Sequence, residues 1–96
     1  MMISNVIPKE NHTLLVFSED GRAGRFDVKP YLEAEAFLPL KEPAAFVRIR
    51  NGRYFVEWDC GADLSADTIE ARWELLPNAE LAGAGPEAAR QPMPTG

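Results

Sequence analysis

The chain predicts a small α+β domain: an antiparallel sheet of about five strands in hairpins, with one or two short helices packed on it. Three observations predict it. Asp20-Gly21 and Asn51-Gly52 are pairs that tolerate the positive backbone angles of tight hairpin turns, and each lies between strand-forming residues. Ser65, followed by Ala66, Ile69, Trp73 and Leu76 at helical spacing, reads as the cap of an amphipathic helix. A length of 96 residues leaves room for one core.

Ile3 to Ile7 reads as the first strand, with Pro8 near its end. A two-residue loop at Asp20-Gly21 sets Glu19 opposite Arg22, Phe17 opposite Gly24 and Leu15 opposite Phe26. Leu15, Phe17 and Phe26 then share the core face, and Gly24 makes room for the Phe17 ring. Lys29 to Ala36 reads as a short helix with Pro30 in its first turn, ending near Phe37. The prolines of Phe37-Leu38-Pro39-Leu40-Lys41-Glu42-Pro43 predict an extended segment, with a turn at Pro43-Ala44-Ala45 leading into a strand from Phe46.

A two-residue loop at Asn51-Gly52 pairs Ile49 with Tyr54, Val47 with Val56 and Ala45 with Trp58, a continuous apolar face. The reverse face then carries Arg50 opposite Arg53, Arg48 opposite Phe55, and Phe46 opposite Glu57. Opposed arginines ask for a counter-anion or an acidic neighbour. The run from Trp58 to Thr68 reads as a joint. Trp58 closes the apolar face, Gly61 permits a turn, Asp63 satisfies backbone donors after it, and Leu64 leads to the Ser65 cap. Asp67 stands near the positive end of the helix. Residues 1–76 form the domain, and the Ala-, Gly- and Pro-rich residues 77–96 read as a flexible low-complexity tail, with a short helix around Glu87 to Arg90 as the alternative.

A net charge of −5 weakens any function based on wrapping a phosphate backbone, and a basic or mixed-charge protein fits better as a partner. One cysteine, Cys60, excludes an intramolecular disulfide and a zinc site of several thiolates. The N-terminal residues lack a basic region followed by a long apolar run, and no stretch is long enough to span a bilayer. The expected compartment is the cytoplasm, away from membranes. Asp59, Asp63 and Asp67 recur every four residues but fail the calcium-loop template, so structural roles are expected for them and no metal or cofactor. His12, the single histidine, reads as a solvated loop residue. Acidic neighbours Glu57, Asp59 and Asp63 disfavour a reactive Cys60 thiolate, and no phosphate-cradling glycine spacing occurs. No catalytic residues are assigned.

Several segments together resemble a small bacterial family, domain of unknown function family 2442. They are Leu15-Val16-Phe17 with Asp20-Gly21; Phe26-Asp27-Val28 leading to Tyr31-Leu32; Phe37-Leu38-Pro39-Leu40; Phe46-Val47-Arg48-Ile49; and Val56-Glu57-Trp58 with Gly61 through Ile69. The resemblance covers most of residues 3–76. It implies an α+β domain without established enzymatic activity, frequently set beside another small protein in apparent toxin and antitoxin pairs.

The leading expectation is a non-enzymatic protein-interaction module, the antitoxin-like partner of a small neighbouring protein. Its contact surface is the Arg48, Arg50, Arg53 and Phe55 face or the acidic stretch Glu57 to Glu74, which has six carboxylates against Arg72. The alternative is an auxiliary nucleic-acid-binding or transcription-regulatory domain using the same arginines on phosphate. A third reading, an enzyme, requires a pocket that gathers Asp63, Asp27 or His12. Unpaired sheet edges leave room for a homodimer.

Overall fold

Residues 14–17 are all apolar, so alternation alone cannot decide which of them face the core, and the turn that follows decides it. The computed structural model describes residues 1–77; the expected tail and the alternative helix at 87–90 lie outside the described residues, Pro77 excepted. Strands β1 (Ile3–Lys9), β2 (Thr13–Ser18) and β3 (Ala23–Asp27) form a meander. Between β2 and β3 the loop has three residues, Glu19-Asp20-Gly21. Ser18 N–H donates to the Arg22 carbonyl at 2.8 Å, Gly21 N–H donates to the Ser18 carbonyl at 3.1 Å, and Gly21 has φ +93°. This is the turn with a glycine bulge that needs a positive angle at one residue only, so Asp20 stays in ordinary space.

The extra loop residue slips the pairing by one and inverts the expected face. Leu14 stands opposite Phe26 and Val16 opposite Gly24, and Leu14, Val16 and Phe26 enter the core, while Leu15 and Phe17 are half-buried on the other side. Gly24 therefore makes room for Trp73 rather than Phe17: a Cβ on Gly24 would overlap the Trp73 ring.

After β3, the expected helix at 29–36 is reduced to a 3₁₀ turn, Lys29–Tyr31. The expected extended segment is instead a second 3₁₀ stretch, Glu35–Lys41, which contains Pro39 and buries Phe37 and Leu40. Pro43 starts a short helix, α1 (Pro43–Phe46), where a turn and strand were expected. Proline's fixed φ suits the first helical turn as well as it suits extended chain, so Pro43 by itself does not distinguish the two.

The second sheet holds β4 (Ile49–Asn51), β5 (Phe55–Trp58) and β6 (Asp63–Ser65), followed by α2 (Ala66–Arg72) and β7 (Glu74–Leu75), which joins the first sheet beside β3. The α+β class is as expected, with the strands divided between sheets of four and three. The β4–β5 register differs from the expected one by four residues: Ile49 pairs with Trp58, Arg50 with Glu57 and Asn51 with Val56. An even slip keeps Val56 and Trp58 inward, but it leaves Tyr54 outside, and Ala45 and Val47 outside the ladder. The β5–β6 turn repeats the three-residue design, with Trp58 N–H on the Ala62 carbonyl, Gly61 N–H on the Trp58 carbonyl, and Gly61 at φ +98°. Ser65 caps α2 by accepting the Thr68 N–H at 3.1 Å, and Ala66 and Ile69 are buried beneath it.

Trp58 lies at the centre. Its indole N–H donates to the Phe46 carbonyl at 2.9 Å, and its ring stacks near Phe37 and Phe46 at 6.0 and 5.9 Å. Tyr31 links Phe37 to Phe26, so one run of rings crosses from the first sheet to the second. At the far end of α2, Arg22 pairs with Asp20 and Glu70 at 2.9 Å each and lies over the Trp73 ring, while the Met1 amino group reaches Glu70 at 3.2 Å.

Two predictions follow from this packing. Gly24→Ala should destabilise the full chain by roughly 1–3 kcal/mol in urea unfolding, through overpacking against Trp73, and the loss should shrink in a Trp73→Leu background; an equal loss in both backgrounds would contradict the assignment. The second concerns pH. The Ser18 hydroxyl and the Arg22 groups hold Asp20 below its ordinary 3.8, and Arg22 with the Met1 amino group holds Glu70 below its ordinary 4.5. Burial raises Asp27, but the Lys29 N–H and ammonium together bring it below 3.8. Folded values below unfolded ones mean that the stabilisation is fully present above the ordinary carboxylate range and is lost as pH falls through the folded values. The urea midpoint should therefore fall on acidification below that range, and Glu70→Gln should make the fall shallower.

Candidate functional site

Alternation in β4, β5 and β6 turns Ile49, Val56, Trp58 and Leu64 to the core and sends Arg50, Phe55, Glu57, Asp63 and Ser65 to the outer face. One cross-strand row reads Arg50, Glu57, Asp63; the next sets Phe55 against Ser65. The expected repulsion between Arg50 and Arg53 does not arise, because Arg50 faces Glu57 at 3.4 Å and also pairs with Asp59. Hydrogen bonding to Asp59 raises the Arg50 pKa further. Arg50 is thus held between two carboxylates.

The other two arginines are held loosely. Arg48, with a side chain 69% exposed, reaches Asp59 at 3.8 Å, and Arg53, 66% exposed, lies 4.0 Å from Glu19 and 3.6 Å from the Met2 sulfur. Exposed pairs at such distances contribute little. Arg53 belongs to the β4–β5 loop together with Gly52 and Tyr54. Tyr54 N–H donates back to the Gly52 carbonyl at 2.9 Å across Arg53, which has φ +75°. That is the strained form of the γ-turn, in a region that favours glycine.

Three further bonds fix this loop. The Asn51 Oδ1 accepts the Arg53 N–H at 2.8 Å, the Arg53 carbonyl accepts the Ile3 N–H at 2.7 Å, and the Tyr54 carbonyl accepts the Ala66 N–H at 2.8 Å. The tip is therefore tied to its own strand, to β1 and to the start of α2. On it stand two neighbouring aromatics, Tyr54 at 61% and Phe55 at 40% exposure, with the Phe55 ring against Gly52. Tyr54 was missed as a surface residue because the expected register made it a core partner of Ile49. The signal that finds it is the loop length, and no local sequence rule fixes that loop at residues 52–54.

The remaining sequence-derived residues do not converge. Asp63, expected in the turn after Gly61, lies in β6 opposite Glu57 on the outer face; Asp67 is in the first turn of α2; Asp59 belongs to the arginines. Among the described residues no group of three or more His, Cys, Asp or Glu side chains is placed to hold a metal. Cys60 is exposed on the β5–β6 turn.

His12 is not solvated as expected: it is half-buried, its Nε2–H donates to the Leu40 carbonyl at 2.7 Å, and its ring meets Phe46 edge-on at 4.9 Å. A carbonyl only accepts, so the contact fixes a protonated Nε2. Asn11 and His12 both have positive φ, which folds the β1–β2 turn under the 35–41 stretch. A cleft of about 440 Å³ opens there, between Lys9, His12, Pro43, Phe46 and Val47. Asp27 is near this end of the first sheet, paired with Lys29, whereas Asp63 is in the second sheet.

Among the described residues no helix is long and apolar enough to cross a membrane. Comparison with curated proteins and with solved structures returns no match. A family model described as "Protein of unknown function (DUF2442)" matches residues 3–74, from the first residue of β1 to the first of β7. That span takes in both glycine-bulge turns, the Trp58 centre, the arginine and aromatic loop and the capped helix, and the chain belongs to this family of proteins of unknown function, DUF2442.

Proposed function

We propose that the chain is a non-enzymatic protein-interaction module that docks a small protein partner through the β4–β5 tip, with Arg53, Tyr54 and Phe55 as anchors, while Arg48 stands at the opposite end of β4. The observation that carries this reading is the pair of exposed aromatics on a loop whose backbone is bonded on three sides. Aromatic and arginine side chains are the residue types that concentrate binding energy at interfaces. A loop already ordered loses little further entropy when it docks. The antitoxin-like form of this reading is supported by the setting that the family resemblance implies, beside a second small protein.

The electrostatics of the face disfavour the phosphate-binding alternative. Arg48, Arg50 and Arg53 stand among Glu19, Glu57, Asp59 and Asp63, so the surface is balanced rather than basic. Counterion release needs a surplus of cations that this face lacks.

Co-expression of the full chain with the product of the adjacent open reading frame, followed by size-exclusion chromatography, tests the proposal. Co-elution is expected, and Tyr54→Ala with Phe55→Ala should weaken the Kd by at least ~10-fold with the chain still folded by circular dichroism. Separate elution, or a Kd indifferent to the double substitution, would overturn it.

A further inference from the structure

We infer that Asn51-Gly52 is a site of spontaneous deamidation that the fold holds closed, and that its reaction irreversibly removes the side-chain bond joining β4 to β1. The chemistry needs only this dipeptide and water. The Gly52 amide nitrogen attacks Asn51 Cγ, the side-chain Nδ2 leaves as ammonia, and the resulting succinimide is opened by water to aspartate or isoaspartate. Glycine permits the attack because it carries no Cβ to obstruct it and leaves the backbone free to bend. The other described asparagines, Asn5 and Asn11, precede Val6 and His12, whose side chains hinder the same step.

In the folded chain every reacting group is engaged elsewhere. The leaving nitrogen, Nδ2, donates to the Ile3 carbonyl at 2.9 Å; Oδ1 accepts the Arg53 N–H at 2.8 Å; and the attacking nitrogen, Gly52 N–H, donates to the Phe55 carbonyl at 2.8 Å. The Phe55 ring also lies on Gly52. Cyclisation requires the Asn51 side chain to leave both partners and Gly52 to leave the loop, so it proceeds only through local opening, whose population the surrounding bonds set.

The same geometry makes the product unable to close again. Aspartate replaces the donor facing the Ile3 carbonyl with an anionic acceptor, and isoaspartate also adds a methylene to the β4 backbone. Either change sets two acceptors against each other where a bond joined β1 to β4, leaving the Ile3 carbonyl without its partner. The Ile3 N–H bond to the Arg53 carbonyl lies beside it at 2.7 Å. The site is a one-way latch, and this inference does not depend on the proposed partner contact.

Incubating the full chain in mildly alkaline buffer, with and without urea, and mapping Asn51 by peptide mass spectrometry tests it. Conversion at Asn51 should be at least ~10-fold slower in the folded chain than in urea, and Phe55→Ala should speed the folded-state reaction. Asn51→Asp should lower the urea midpoint relative to the wild-type chain. Equal rates with and without urea would show that the fold does not guard the site, and an Asn51→Asp chain as stable as wild type would show that it is not a latch.

Discussion

The sheets of four and three short strands bury their inner faces in one shared core, and the side chain at which they meet is Trp58. Its indole is fully buried, its N–H is satisfied by the Phe46 carbonyl, and its backbone opens the β5–β6 turn. From it a run of ring contacts leads through Phe37 and Tyr31 to Phe26 in β3, and another through Phe46 to His12 in the β1–β2 turn. Each such pair adds about 0.5–1.5 kcal/mol beyond simple burial, and together they fix where the irregular 29–46 segment must run. That segment lacks a long helix or strand of its own, so its position is set by what its aromatics touch.

The sequence was legible wherever one physical rule acted alone. Ser65 with Asp67 and Ile69 named a capped helix, and the cap bond to Thr68 is there; Val56 and Trp58 were placed inward, and they are. Legibility failed where two conformations satisfy the same residues. Asp20-Gly21 suits a two-residue and a three-residue loop equally, and with four apolar residues in succession at 14–17 neither register exposes a larger apolar surface. Pro43 suits extended chain and the first turn of a helix alike, Pro39 sits inside the 3₁₀ stretch, and Phe37, Leu40 and Phe46 are buried by the helical forms. His12 was unreadable because its partner, the Leu40 carbonyl, is 28 residues away.

The outer face of the second sheet shows how a one-strand register error changes a functional reading. Opposing Arg50 to Arg53 produces a basic strip in want of an anion. Opposing Arg50 to Glu57 produces a self-neutralised ladder in which Arg50 is committed to the fold, and only Arg48 and Arg53, at the two ends of β4, keep guanidiniums with weak partners. The candidate surface thereby moves from the middle of the strand to its loop, and it gains Tyr54.

Arg53 itself carries the last step. A loop that only had to reverse the chain could place glycine at the positive-φ position, where an arginine costs roughly 1 kcal/mol or more. Here Gly52 is one residue away with its own position taken by the Phe55 ring, and the strained angle falls on the arginine. The strain is held by bonds from Asn51 and Ile3, and its effect is to set a cation beside two exposed rings on a loop tied to both sheets and near the start of α2.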